Sequence, residues 1–453
     1  MPIVTEVVAR GMIEGVGPGC RPGHSSQLVP LLEPEPMWRT FLLILAAAVV
    51  FGLSHHPPAL AGELIFESIT IDDRPGKVVY AVTVVDLNGN GREDIVAITE
   101  DKVLWYAAPD WEKHVIFEGL IEPDHVCIAA HDIDGDGRMD LAIGAGWPRS
   151  GGTIQWLRQG KHPTDLWTMH PIAAIPWTHR MRFANVLGRK DKRPQLVVSP
   201  LNAAEGEAGV ALTAFVIPDD PMNDRWPPVV LSHDLNRLHN HFCLPARWLN
   251  LPGVDEDQMV TLTASQEGVH VIYPDPETKG EAGPASDRLG LPFRQDRLTA
   301  GIAGDRTDAT GAGEIRPGKL TNGSSFFATI EPMHGHQAVV YLLDRRHPQV
   351  KERIVLTDQL RGGHAIWAAD MDKDGDYEVI VGWREPNPDV GISIFNRTST
   401  GKWVRQDLDL GGVAVEDLAV ADLHVNGHLD IVAGGRATQN IKLYLNKGSV
   451  RTR

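Results

Sequence analysis

Apolar residues fall in short runs along most of this chain, many alternating with polar ones and each closed off by Gly, Asn, Asp or Pro. Stretches such as "KVLWYAA", "GVHVIYP", "AVVYLLD", "GISIFNR" and "IKLYLNK" carry the two-residue period and the β-branched or aromatic content of strands. Amphipathic helical periodicity is scarce. Four stretches share a further pattern, an Asp/Asn-rich loop running straight into an apolar strand: "DLNGNGREDIVAIT" (86–99), "DIDGDGRMDLAIGA" (132–145), "DMDKDGDYEVIVGW" (370–383) and "DLHVNGHLDIVAGG" (422–435). Asp86 and Asp422 are 336 residues apart, which divides into six steps of 56 and so predicts seven units.

Three degenerate units should then lie between the second and third motifs. They are found at "HRMRFANVLGRKDKRPQLVVSPL" (179–201), "HFCLPARWLNLPGVDEDQMVTLTA" (241–264) and "GEIRPGKLTNGSSFFATIEP" (313–332), which keep the strand–loop–strand rhythm without the acidic loop. A third and usually a fourth strand follow each pair. Seven units of four strands predict an all-β fold, a seven-bladed β-propeller over residues 62–453. The seventh unit lacks its fourth strand, and "ELIFESITID" (63–72) supplies it from the other end, so pairing of the terminal strands should close the ring and hide its edges.

Composition adjusts this picture in three ways. A formal charge of -16 argues against nucleic acid as a partner. Three cysteines (Cys20, Cys127, Cys243) cannot build a disulfide framework, so stability must come from packing. Residues 37–61, "MWRTFLLILAAAVVFGLSHHPPALA", have the basic, apolar and small-residue order of a secretory signal. Residues 1–36 then read as an untranslated or disordered extension. The mature chain is expected to be secreted or periplasmic, with no integral membrane span after cleavage.

The D-x-[DN]-x-[DN]-G-x-x-D loop followed by a strand resembles the FG-GAP/VCBS repeat of integrin-type propellers. "ATIEPMHGHQAVVY" (328–341) and "GGHAIWAADMDKDGDYEVIVGWREP" (362–386) resemble the propeller domain of aldos-2-ulose dehydratase. That dehydratase family also carries cupin domains after its propeller, and this chain is expected to lack them.

Strand direction sorts the motifs onto two faces. The Asp-rich loops share a lower face, where alternating oxygens suit a structural calcium ion. The candidate ligands are Asp86, Asn88, Asn90 and Asp94, then Asp132, Asp134, Asp136 and Asp140, then Asp370, Asp372, Asp374 and Glu378. The fourth loop departs from the set, with His424 and Asn426 at oxygen-ligand positions. On the upper face the inner strands begin near His125, His179, His241, Glu314, His364 and Asp417. The upper loops add Glu331, His334, His336, Trp147, Arg149, Trp383, Arg384 and Arg436. His239 and His241 flank Asn240, and alternation allows both to face inward, without fixing which points at the channel.

A funnel of imidazoles with carboxylates, Arg and Trp has the ingredients of a sugar-handling catalytic site. The resemblance implies a lyase, a dehydratase-like enzyme acting on a small keto-sugar substrate. In that reading His364 or His179 is the base, His334 or Glu331 the acid, Arg384 the oxyanion partner and Trp383 a ring platform. His125, His241, Trp147 and Arg436 line the substrate, and a second divalent metal among His125, His241 and His364 is an alternative to Arg384. The competing reading is a non-catalytic, calcium-stabilised adhesion module for glycan or protein.

Overall fold

The computed structural model describes residues 62–450, apart from 120, 122, 148–151, 278–292, 304–309 and 387–388. The expected signal (37–61), the extension before it and Arg149 lie outside the described residues. The described chain forms seven four-stranded antiparallel sheets, each a blade, and in six of them the strands run in sequence order from the inside outward. The innermost strands, blade 1 to blade 7, are Val79–Val85, Cys127–His131, Thr178–Ala184, Leu238–Pro245, Glu314–Lys319, Gly363–Ala369 and Val415–Ala421. Blade 7 closes as predicted: its fourth strand is Glu63–Asp72, which pairs with Ile441–Val450 from Glu63 opposite Val450 to Asp72 opposite Ile441. The fold is thus a seven-bladed β-propeller. The fourth strand of blade 4, Phe293–Thr299, had no sequence expectation, because it is polar and a long insertion separates it from its partner Gly268–Pro274.

Burial follows position within the blade. Second strands such as Asp94–Thr99, Asp140–Ala145 and Asp430–Gly435 are buried at every residue, because blades pack on both of their faces. Outermost strands such as Glu112–Glu118 are half-exposed and alternate. The apolar runs are therefore the middle of each blade, and the alternating ones its outer edge.

On the lower face the last acid of each motif fastens its blade. The Asp94 carboxylate accepts from the N–H groups of Leu87 (3.1 Å) and Ala108 (2.8 Å). Asp140 accepts from Ile133 and Gln159, and Asp430 from Leu423 and Asn446. Side-chain amides then join neighbouring blades: Gln159 Nε2 donates to the Leu87 carbonyl, Gln258 Nε2 to that of Val186 and Asn446 Nδ2 to that of Met371. Each amide also donates to a carbonyl of its own blade, Met139, Met259 or Leu429, so the ring is held in the same way at these three joints.

At the upper end the inner strands carry an extra residue. Pairing with the second strand skips Tyr80, His179, His239, His364 and Glu416: Thr178 faces Pro200 and Arg180 faces Ser199, for example, with His179 between them. In blades 2 and 5 Val126 and Gly313 take this place. Their N–H groups bond the carbonyls of Gly144 and Ile330, the residues opposite Cys127 and Glu314. Such a bulge re-aims one side chain without disturbing the strand below it.

Candidate functional site

The bulges turn seven side-chain positions toward the upper mouth of the channel: Tyr80, Val126, His179, His239, Gly313, His364 and Glu416. Blade 5 offers no side chain there, and its upper loop fills the space with His334. This residue has a left-handed φ of 54°. A Cβ on Gly313 would lie 3.1 Å from the His334 nitrogen, so the glycine is what admits the loop.

His239, His334 and His364 meet there, with ring centroids 4.4, 4.8 and 5.0 Å apart. Nδ1 of His239 lies 2.7 Å from the Gly313 carbonyl and 3.0 Å from Glu314 Oε1. Nδ1 of His364 lies 2.6 Å from the Glu416 carbonyl. Both rings donate at Nδ1, which leaves the Nε2 lone pairs facing the cluster. His334 Nε2 is 2.6 Å from His239 Nε2 and supplies the proton of that bond. A fourth imidazole, His179, has its centroid 4.7 Å from His239 and no partner within the protein for either ring nitrogen. Trp147 lies 5.9 Å from His179 and edge-on to Trp177 at 6.0 Å.

Charge surrounds this group in a defined way. The Glu416 carboxylate accepts from Arg384 (2.6 Å) on one oxygen and from Arg436 (2.9 Å) on the other. Glu314, below, faces Arg180 at 3.7 Å and His239. Burial first, and then the charges of Arg180, Arg384 and neighbouring imidazoles, hold His179, His334 and His364 well below the usual histidine range. Burial pushes Glu314 up, but its bond to His239 and the arginine charges outweigh that, and its pKa is lowered.

The three imidazoles fit a divalent metal. One nitrogen of each lies within 4.8 Å of the others, two rings are oriented by carbonyls on their far nitrogens, and burial favours the neutral form that a metal needs in His334 and His364. Three nitrogen donors leave a coordination position for substrate, the pattern of a catalytic rather than a structural zinc-type site.

Other residues expected at this mouth lie elsewhere. The bulge at His239 puts Asn240 on the channel side and His241 on the far side, where its Nδ1 meets Ser199 Oγ at 2.9 Å. His125 stands one residue before its blade's bulge position and packs near Phe117, outside the metal-competent cluster. Glu331, only three residues from His334, points outward. It is fully buried and bonded by Thr329 Oγ1, Tyr341 Oη and Arg353, which leaves it without a role as an acid in the funnel. Trp383 belongs to the core between blades 5 and 6, its Nε1 donating to the Asp389 carbonyl, and so is no platform at the mouth. Its outer edge and His336 line a separate cleft of about 750 Å³ with Arg361 and Arg405.

On the lower face, Asp132, Asp134 and Asp136 converge, as do Asp370, Asp372 and Asp374. Asp86 with Asn88 and Asn90 forms the same loop: Asp86 accepts from the N–H groups of Asn90 and Gly91 as Asp132 does from Asp136 and Gly137. Asp94 and Asp140 spend both carboxylate oxygens on the backbone staples described above, whereas Glu378 uses one, on the Met371 N–H. In blade 2 the Arg158 guanidinium enters the loop, 2.5 Å from Asp134 and 3.2 Å from Asp136.

The sequence allowed both His239 and His241 to face inward without deciding between them, and it did not single out Tyr80, Trp177, Arg180 or Glu416. A spacing signal for the crown does exist. Tyr80, Val126, His364 and Glu416 each stand six residues before the first aspartate of their blade's loop, Asp86, Asp132, Asp370 and Asp422.

Comparison with known proteins agrees with this architecture. The family described as aldos-2-ulose dehydratase, beta-propeller domain, matches residues 151–344, and the FG-GAP-like repeat matches residues 86–143. Aldos-2-ulose dehydratase of Phanerodontia chrysosporium is 24% identical over 304 residues, 61% of this chain, which spans only 31% of that protein's length. Among solved structures, BBS1N from a complex with ARL6DN is 9% identical with a TM-score of 0.50, covering 85% of this chain and 98% of its own. The PQQ-bound aldose sugar dehydrogenase of Streptomyces coelicolor is 13% identical with a TM-score of 0.37, covering 72% and 93%. Among the described residues no helix is long and apolar enough to cross a membrane. The chain is a seven-bladed β-propeller, similar over residues 151–344 to the propeller domain of aldos-2-ulose dehydratase and over residues 86–143 to the FG-GAP-like repeat.

Proposed function

We propose that this protein is a carbon–oxygen lyase that removes water from a keto sugar at the upper mouth of its channel. The observation that carries this reading is the convergence of His239, His334 and His364, with oriented Nε2 atoms, beside an unpartnered fourth imidazole and two guanidiniums. A divalent metal held by the three imidazoles would supply Lewis-acid polarisation of the sugar's carbonyl oxygen. His179, kept neutral by burial, is the base that takes the proton beside that carbonyl. Arg384, held in place by Glu416, donates to the developing oxyanion. As the enolate electrons form the carbon–carbon double bond, the imidazolium of His179 returns its proton to the departing hydroxyl, which leaves as water. The product is a conjugated enone. Secretion and calcium at the lower loops of blades 2 and 6 belong to the same proposal, the ions stiffening the ring rather than reacting.

The test is an absorbance assay with 2-keto and 3-keto sugars, zinc or manganese being supplied, alongside metal analysis. Enone from the wild type, its loss in His179→Ala with metal still bound, and loss of both in His364→Ala are expected. No enone across the panel with metal firmly bound would refute the lyase reading.

A further inference from the structure

The chain carries a formal charge of -16, yet its axis does not share that sign. Five arginines meet around the channel: Arg180 and Arg182 from blade 3, Arg316 from blade 5, and Arg384 and Arg436 from the upper loops of blades 6 and 7. Three carboxylates oppose them, Glu314, Glu416 and Asp417. The next one, Asp124, is occupied at the rim with the Tyr80 hydroxyl. Even with Asp124 counted, these five cations outnumber the four anions around the imidazole cluster, while Glu100 and Asp101 stand by His125. The histidines do not redress the balance, since they add either nothing or more positive charge.

Internal contacts take up only part of the excess: Arg182 donates to the His241 carbonyl and Asn240 Oδ1, and Arg316 Nη1 to the Ile315 carbonyl, neutral partners that leave the positive charge unmatched. Arg384 and Arg436 each use one terminal nitrogen on the single Glu416 carboxylate, although a guanidinium has five N–H donors. Arg180 reaches the His179 carbonyl and stands 3.7 Å from Glu314. Arg316 is 5% exposed, and its Nε has no partner within the protein. It lies over the rings of Trp367 and Phe242, while Arg182 lies over the same Phe242. Buried cations without matched anions are costly, and a low-dielectric funnel of one sign concentrates ligands of the other.

We infer that the ligand of this mouth is an anionic sugar, one bearing a carboxylate or phosphate, whose charge is taken by Arg384 and Arg436 beside the imidazole cluster. This rests on the sugar-site reading above and narrows its substrate class. A neutral sugar could accept from the guanidinium donors through its oxygens but would leave their charge unmatched. An acidic one would pair them with charge-assisted bonds, to which the guanidinium fork is suited.

The test is binding, so it does not depend on turnover. Glucose, glucuronate and glucose 6-phosphate are titrated calorimetrically into the full chain, once after chelation and once with zinc restored. At least one anion is expected to bind tenfold or more tightly than glucose in both states, and to weaken as salt rises from 50 to 500 mM, roughly as screening requires. Arg436→Gln, at a partly exposed rim position, should reduce the preference about tenfold. Arg384→Gln should do the same if it folds. Equal affinity for the three sugars overturns the inference while leaving the lyase reading to its own enone assay. Anion preference confined to the zinc-loaded protein and untouched by Arg436→Gln also overturns it, because the metal alone would then be the anion's partner. A preference for one anion over the other supports it and names the group.

Discussion

Four buried imidazoles, His179, His241, His334 and His364, are held well below the ordinary histidine range, by burial first and nearby arginine or imidazole charge second. In the unfolded chain each would titrate near ~6.5. Between the folded and unfolded values the unfolded chain binds more protons, so stability rises with pH there and is lost as pH falls below about 6.5. Each imidazole contributes ~1.4 kcal/mol per pH unit to that slope. Two carboxyls act in the other direction. Burial, then neighbouring charge for Glu378, raises Asp140 to about 7 and Glu378 to about 9, so their folded forms hold protons that the unfolded chain has shed above ~4. These six groups together give a loss of roughly 3 kcal/mol per pH unit between about pH 6.5 and 5.5; the downward shifts of His125, His131, His170 and His270 add to it and the upward shifts of Glu93, Asp94, Asp374 and Asp417 oppose it. The assay is urea unfolding of metal-free protein across pH 5.0–7.5. His241→Gln isolates one of the four outside the candidate metal cluster, and should flatten the slope by ~1.4 kcal/mol per unit whatever it does to stability at neutral pH. An unchanged slope in that variant, or stability indifferent to pH below about 6.5, would show that these imidazoles are not held neutral by the fold.

Three further outcomes follow from the same contacts. Arg353→Met leaves the fully buried Glu331 carboxylate without its cation and should cost roughly 3 kcal/mol in thermal or urea unfolding, with part regained in the Glu331→Gln, Arg353→Met double variant; a loss below ~1 kcal/mol would count against a charged Glu331. Gly313→Ala places a Cβ 3.1 Å from the His334 nitrogen, so cobalt(II) or zinc affinity should fall about tenfold or more while unfolding changes little. Calcium at 100 times its Kd should raise stability by about 2.7 kcal/mol per occupied site. Asp370→Ala should remove more of that gain than Asp132→Ala, because Arg158 already neutralises part of the blade 2 loop; equal effects, or none from calcium, would refute the assignment.

The sequence made the ring legible because its evidence is redundant. Four acidic loops set a period, the period located three weaker blades, and a missing last strand matched a spare first one. No single blade had to be read correctly for the count to hold. The lower-face carboxylates were legible as loops, but the staples made by Asp94 and Asp140 were not, since their partners are backbone N–H groups from two different turns. Glu331 shows a related limit. It is three residues from His334, yet it ends a strand and points away, while His334 sits in the loop beyond at a left-handed φ.

The upper face was harder because its active position is a bulge. Counting from strand starts placed His241 and Asp417 beside His179 and His364. The extra residue in each strand breaks the alternation, so His239 and Glu416 reach the mouth while His241, two residues on from His239, turns to the far side. The bulge leaves no composition of its own: its occupants are Tyr, Val, His, His, Gly, His and Glu. Ring closure asks only that the backbone bulge there, so the side chain is free of the repeat and available for chemistry. Blade 5 bears this out in the extreme, giving up its side chain so that a loop histidine can take the place. A fold built from seven equivalent units thus gains an unsymmetrical site at the one position where equivalence is not required, and a histidine in that register carries more functional weight than one two residues further along the same strand.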